Sequence, residues 1–289
     1  MSLAVPVRRA RVYLDAIRFE HTIFALPFAY LGMVLAARGW PGWPVFIWTT
    51  LAMAGARTGA MAANRLIDAE MDARNPRTAQ RAIPMGIMSR LEMLGLALTG
   101  FALLHVAAWQ LNSLALALAP VAMVAVTFYS YTKRFTWSSH WILGLADGIA
   151  PVGGWIAVTG EFSTEAALLA LVVTFWIGGF DVLYATQDVA FDRDEGLHSV
   201  PARFGLAAAL WVARASHVLT IGVLVALGFV AALGWPYWVG VGVIAALLIY
   251  ENRLLKPHDL SRLSLAFFNI NGYVAVAALV FTILGVWLG

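Results

Sequence analysis

Long apolar runs alternate with short polar ones along the whole chain. Nine apolar segments stand out, at roughly 22–37, 44–66, 91–110, 114–132, 140–159, 165–187, 208–232, 235–251 and 264–288. Most approach the roughly 20 residues that a helix needs to cross a hydrocarbon core. In lipid a helix satisfies its own backbone polar groups, so each segment predicts a helix. The expected fold is all-α: a polytopic membrane protein with nine transmembrane helices around a central cavity. No linker is long enough to separate domains, so residues 1–289 read as one unit.

The polar runs carry the topology. Arg8, Arg9, Arg11 and Arg18 precede the first segment, and Arg74, Arg77, Arg81 and Arg90 lie between the second and third. Lys133 and Arg134 follow the fourth, Arg193 and Arg203 the sixth, and Arg253, Lys256 and Arg262 the eighth. The alternate loops carry only Arg38. Basic residues collect on the cytoplasmic side, so the N-terminus and the long loops are expected there, with Gly289 outside.

Composition agrees with a membrane protein. The chain is 61% hydrophobic and 12% charged, against about 25% charged in a typical soluble domain. Its net charge of +3 comes from the loop clusters and does not suggest nucleic-acid binding. Cysteine is absent, which excludes disulfides, thiolate nucleophiles and cysteine metal sites. The basic N-terminus lacks a short apolar core with a cleavage site, so no removable signal peptide is expected.

Chemistry concentrates where two apolar segments end. In the second, Asn64, Asp68 and Asp72 are spaced i, i+4, i+8, and Arg57 lies seven residues before Asn64. On a continuous helix all four share one stripe. Aligned carboxylates and an amide, without Cys or His, suit a hard cation such as Mg²⁺. The competing reading is an acidic helix end salt-bridged to Arg65, Arg74 or Arg77. Arg57 counts against it, because an ionisable group inside a membrane helix is costly and usually functional.

The sixth segment repeats the theme with Asp188 and Asp192, and Asp181 lies two turns upstream. The four-segment offset between the motifs hints at an internal repeat. If the two helix ends face one cavity, two Mg²⁺ ions and an anionic substrate would neutralise the gathered carboxylates. Lys133, at a helix end with few other charges, is placed to meet that anion. Arg65, Arg74, Arg77, Arg81 and Arg134 are similarly placed, with topogenic charge as the alternative.

Together these residues resemble the UbiA superfamily of membrane prenyltransferases. Its first motif corresponds to Asn64-Arg65-Leu66-Ile67-Asp68 through Asp72, and its second to Tyr184-Ala185-Thr186-Gln187-Asp188 through Asp192. Asn75-Pro76-Arg77-Thr78, Thr132-Lys133-Arg134 and Gly196-Leu197-His198-Ser199 fit as well. The likeness covers essentially the whole chain. Arg65 stands where many members have Asp, which leaves metal binding on that side to Asn64, Asp68 and Asp72. The subgroup flavour is that of the 4-hydroxybenzoate polyprenyltransferases, including menaquinone-pathway relatives.

The resemblance implies a Mg²⁺-dependent enzyme in the cell (inner) membrane, its active site facing the cytoplasm. It would move a polyprenyl group from polyprenyl diphosphate to an aromatic acid, with membrane lipid around it. Lys133, with Arg65 or Arg77, would take the departing diphosphate, and Tyr184 would shield the allylic cation. Asp181 would accept the phenolic proton, and Arg57 or Arg18 would hold the acceptor carboxylate. Other prenyl acceptors (haem, chlorophyllide, naphthoate, a glycerol ether) stay open. So does a secondary transporter using Asp147, Asp181 and Arg57; a CDP-alcohol phosphotransferase lacks its signature here. Asp147, among Gly144, Gly148, Gly153 and Gly154, reads as either a cavity liner or a helix-packing hydrogen-bonder. His105 reads as an interhelical hydrogen-bonder.

Overall fold

The structure, a computed structural model, describes residues 13, 15, 16, 20–256, 259, 260, 262, 263 and 269–289. Twelve α-helices are numbered here in chain order. The long ones are α1 (Glu20–Ala37), α2 (Trp43–Ile67), α4 (Arg90–Leu111), α5 (Ser113–Thr132), α6 (Ser139–Thr159) and α7 (Thr164–Tyr184). They continue with α10 (Leu206–Val230), α11 (Trp235–Leu254) and α12 (Asn271–Trp287). Short helices α3 (Ala69–Arg74), α8 (Val189–Asp194) and α9 (Val200–Phe204) lie in the two long loops. Nine long helices among the described residues thus occupy the nine apolar segments.

Helix ends follow local chemistry. Ser89 opens α4 with a reciprocal cap: its Oγ accepts from Glu92 N, and the Glu92 carboxylate accepts from Ser89 N. Asn112 and Ser163 cap α5 and α7 in the same one-sided way, through their side-chain oxygens. Five stretches are long and apolar enough to cross a membrane: α4, α5, α6, α10 and the run Thr164–Asp194 that begins with α7. Polar groups thin the apolar character of α2, at Arg57, Asn64 and Arg65, and of the end of α11, at Glu251 and Arg253.

Neighbouring helices pack in the order α1, α2, α4, α5, α6, α7, α10, α11, α12, and α12 returns to α1. α1 also lies against α6, where a Cβ on Gly32 or Gly154 would collide with the Pro151 or Ala29 carbonyl. Without a hydrophobic force between helices in lipid, such small-residue contacts are what draws them together. The main core runs through α1, α7, α10, α11 and α12, with Leu31, Leu35, Leu169, Val173 and Leu227 fully buried in it. His105 differs from expectation: its Nδ1 turns back to Phe101 O at 2.7 Å, a bond within its own helix.

Candidate active site

Packing decides which face of α2 meets the cavity. A Cβ on Gly55 would lie 2.7 Å from Gly100 O, and one on Gly100 2.5 Å from Gly59 N, so this face is pressed against α4. Arg57 lies two residues from each glycine, about 200° around the helix. It therefore faces away from α4, and Asn64 follows two turns later. On α6, Gly144 and Gly148 lie against the Thr174 and Ala170 backbone of α7, so Asp147 is set beside that seam, facing the cavity.

Both acidic motifs sit at breaks in their helices, where unbroken stripes were expected. α2 stops at Ile67, Asp68 takes φ −94°, ψ 3°, and α3 resumes at once. Arg134, in the turn after α5, is seated at the break: its Nη2 donates to Ile67 O at 3.0 Å and to Asp68 Oδ1 at 3.1 Å. In the second motif α7 stops at Tyr184, and a 3₁₀ turn spans Ala185–Asp188 before α8. There Thr186 Oγ1 and Gln187 Nε2 donate to the freed carbonyls of Leu183 and Tyr184. Across the first break the i→i−4 pattern still runs from Asp72 N to Asp68 O and from Asp68 N to Asn64 O, so the motif residues stay within one turn of each other.

Each carboxylate has a partner. Asp68, 2% exposed, accepts from Lys133 Nζ at 2.8 Å, from Arg134 and from Asn64 Nδ2 at 3.2 Å. Arg81 Nη1 donates to Asp72 Oδ1 at 2.6 Å. Arg77 grips Asp188 with two bonds, Nε at 2.9 Å and Nη2 at 2.5 Å, and Asn75 Nδ2 adds a third at 3.0 Å. Asp192 accepts from Ser199 Oγ at 2.6 Å. Burial alone would lower the Arg77 pKa, but the hydrogen bond and charge of Asp188 raise it, so the guanidinium stays charged.

The segment around Asn75 and Arg77 therefore crosses from the first motif to the second. Lys133 stands between them, bonded to Asp68 and within electrostatic reach of Asp188 and Asp192. Arg57 Nη1 approaches Asp147 Oδ1 at 3.7 Å, while Arg57 Nε is buried with no hydrogen-bond partner. Arg65 reaches Asn64 Oδ1 and Ala16 O. Arg74 pairs instead with Glu195, near the surface.

One cavity of about 810 Å³ gathers these groups. Its lining includes Arg57, Asn64, Arg65, Asp68, Asp72, Arg77, Lys133, Asp181, Tyr184, Asp188 and Asp192. Arg18 lies outside the described residues. Tyr184 differs in surroundings from expectation: Arg77 stands 5.2 Å above its ring and donates to its hydroxyl at 3.1 Å. An aromatic wall comes instead from Phe28, Trp176 and Phe180, whose rings follow one another at 4.8 and 5.2 Å.

The donor set suits a hard cation, being carboxylate and amide oxygen throughout. Asp72 Oδ2 is buried with no hydrogen-bond partner, a lone acceptor of the kind a cation would satisfy. As they stand, Asp68, Asp72 and Asp188 are held by basic side chains, and among the described residues no three acidic or histidine groups converge on one point. Lys133, Arg77, Arg81 and Arg134 thus offset part of the charge that the gathered carboxylates carry, beside the Mg²⁺ that the donor set suits.

Sequence reasoning missed His140. Its Nδ1 lies 2.7 Å from Asp181 Oδ2, and its Nε2 accepts from Val200 N at 3.2 Å. An ionisable ring at the start of an apolar segment was a visible signal. Asn75 and Ser199 stood within the family motifs without a role of their own. The wall of Phe28, Trp176 and Phe180 was unmarked, since aromatic residues in an apolar helix look the same whether they face a cavity or lipid.

Known proteins carry the same plan. Residues 25–273 match the UbiA prenyltransferase family. A 4-hydroxybenzoate octaprenyltransferase of Vibrio cholerae serotype O1 is 30% identical, over 96% of this chain and 99% of that protein. A UbiA homolog from Aeropyrum pernix K1, in its apo form, shares 32% identity with a TM-score of 0.84, covering 92% of this chain and 98% of the other. A UbiA homolog from Archaeoglobus fulgidus bound to DMAPP and Mg²⁺ has the same fold at 19% identity, with a TM-score of 0.70 over 94% and 98% of the two chains. Transporter and phosphotransferase readings fall away against this agreement. The chain belongs to the UbiA prenyltransferase family and is a prenyltransferase.

Proposed function

We propose that this enzyme transfers a polyprenyl group from polyprenyl diphosphate to 4-hydroxybenzoate, with Mg²⁺, in quinone biosynthesis. The observation that carries the reading is that both acidic motifs line one cavity with Lys133 between them. The Vibrio relative supports the acceptor. Purified protein with Mg²⁺, geranyl diphosphate and 4-hydroxybenzoate tests it: diphosphate release must accompany a prenylated ring. A product formed only with another acceptor from a panel would redirect the assignment.

Asn64, Asp68 and Asp72 would hold metal on one side, and Asp188 and Asp192 on the other. Mg²⁺ there would supply positive charge to the diphosphate oxygens. Lys133 and Arg77, released from their carboxylates, meet phosphate oxygens, and Arg65 adds charge beside Asn64. The wall of Phe28, Trp176 and Phe180, with Tyr184 nearer the diphosphate, faces the allylic carbon and excludes water. Asp181 accepts the phenolic proton as the ring attacks. Arg57, with Nε unpaired, binds the acceptor carboxylate.

The nine long helices all span the membrane, as a single domain over 1–289, with the N-terminus and the cavity mouth in the cytoplasm. Arg74, Arg77, Arg81, Lys133 and Arg203, on loops of one parity, support this side. The absence of cysteine makes the test direct. Arg74→Cys should react with an impermeant maleimide only from the cytoplasmic side, and Glu161→Cys only from the other.

A further inference from the structure

We propose that His140 is a positioning residue for ring alkylation, holding the Asp181 carboxylate through Nδ1–H while its other nitrogen is fixed by the backbone of Val200. The inference rests on the reading of Asp181 as proton acceptor given above.

The tautomer follows from the geometry. A backbone N–H only donates, so the bond from Val200 N makes His140 Nε2 an acceptor. The proton of the neutral ring then sits on Nδ1, which donates to Asp181 Oδ2 at 2.7 Å. The His140 side chain is 4% exposed and that of Asp181 26%. Substrate in the cavity meets the carboxylate, and the imidazole stands behind it. One carboxylate oxygen is thereby occupied and the other is left for the incoming proton.

Val200 links this pair to the second acidic motif. The residue before it, Ser199, donates to Asp192 Oδ2 and accepts from Ala202 N as the cap of α9. A chain of contacts thus runs from Asp192 through Ser199 and Val200 to His140 and Asp181. The metal-side carboxylate and the proton acceptor are thus tied through one short segment. A base misplaced by even 1 Å loses rate steeply, which gives the contact its importance.

Two amide substitutions separate the halves of the contact. Asn at position 140 sets an N–H near the place of Nδ1–H but is too short to reach Val200. Gln reaches Val200 with its oxygen and draws its donor away from Asp181. The measurements are kcat and acceptor KM with geranyl diphosphate and 4-hydroxybenzoate, and Mg²⁺-dependent affinity for an unreactive thiolodiphosphate analogue. Donor affinity should match wild type in both, confirming folded protein. His140→Asn should keep most of kcat, and His140→Gln should lose it by about 10- to 100-fold. Gln alkylating as fast as Asn, or faster, overturns the proposal, since a purely structural tie to Val200 gives that order. A wild-type enzyme that alkylates no aromatic acceptor sinks the functional reading and this inference together.

Discussion

Asp68 and Asp188 share one backbone conformation, φ −94°, ψ 3° and φ −105°, ψ 7°, each immediately before a six-residue helix that follows the end of a long one. The two halves of the chain thus repeat a device as well as a spacing, in line with the internal repeat hinted at by the four-segment offset. In each half the break presents a carboxylate to the cavity, and a basic side chain from elsewhere in the chain holds it: Lys133 for Asp68, Arg77 for Asp188.

Asp188→Asn removes the charge that Arg77 grips and one side of the metal set. Prenyl transfer should fall on the order of 10²- to 10³-fold, the scale for losing one charge-stabilising group. Diphosphate release is the assay, and a variant keeping half its activity would remove Asp188 from the metal site.

Chelation should abolish turnover, and added Mg²⁺ should restore it. Activity that survives exhaustive chelation would contradict the reading of Asp68, Asp72, Asp188 and Asp192 as a cation site.

Arg77→Lys is not a conservative change here. A lysine cannot reproduce two parallel bonds to Asp188 and a third to Tyr184. Donor KM should rise about tenfold, by roughly the value of one charged hydrogen bond. Unaltered donor kinetics would show that Arg77 only neutralises Asp188.

Arg57→Gln addresses the acceptor. The KM for 4-hydroxybenzoate should rise about 10- to 100-fold, equivalent to a lost charge-assisted bond, while donor KM stays put. A matched phenol lacking the carboxylate is the control. Equal effects on both phenols would tie Arg57 to Asp147 alone.

Gly55→Leu forces side-chain atoms into the Gly100 carbonyl and Leu104 backbone. Overpacking of this kind costs about 1–3 kcal/mol, so thermal denaturation should come several degrees early. Gly95, with nothing within 4 Å of a built Cβ, is the contrast on the partner helix. Gly95→Ala should be neutral or slightly stabilising, as Ala favours helix.

Much of this architecture was legible in the sequence because it depends on local pattern. Apolar run length placed eight of the long helices within a few residues. The ninth runs Asn271–Trp287 where 264–288 was expected, residues 264–268 lying outside the described residues. Four-residue spacing marked Asp68, Asp72, Asp188 and Asp192. The helix breaks were not legible, since the donor seated at the α2 break is Arg134, 66 residues beyond Asp68. His140 escaped for the same reason, its partners lying 41 and 60 residues away. Arg57 was marked correctly as a cavity residue, but its neighbour Asp147 could be identified only once α2 and α6 were seen together.

The contact between α1 and α6 ties together two helices that are not neighbours around the ring. Where Gly32 meets Pro151 and Gly154 meets Ala29, backbone touches backbone and no side chain can swing aside. Parting these helices means separating two main chains, so the pair moves as one rigid piece and any opening of the cavity falls to other helices.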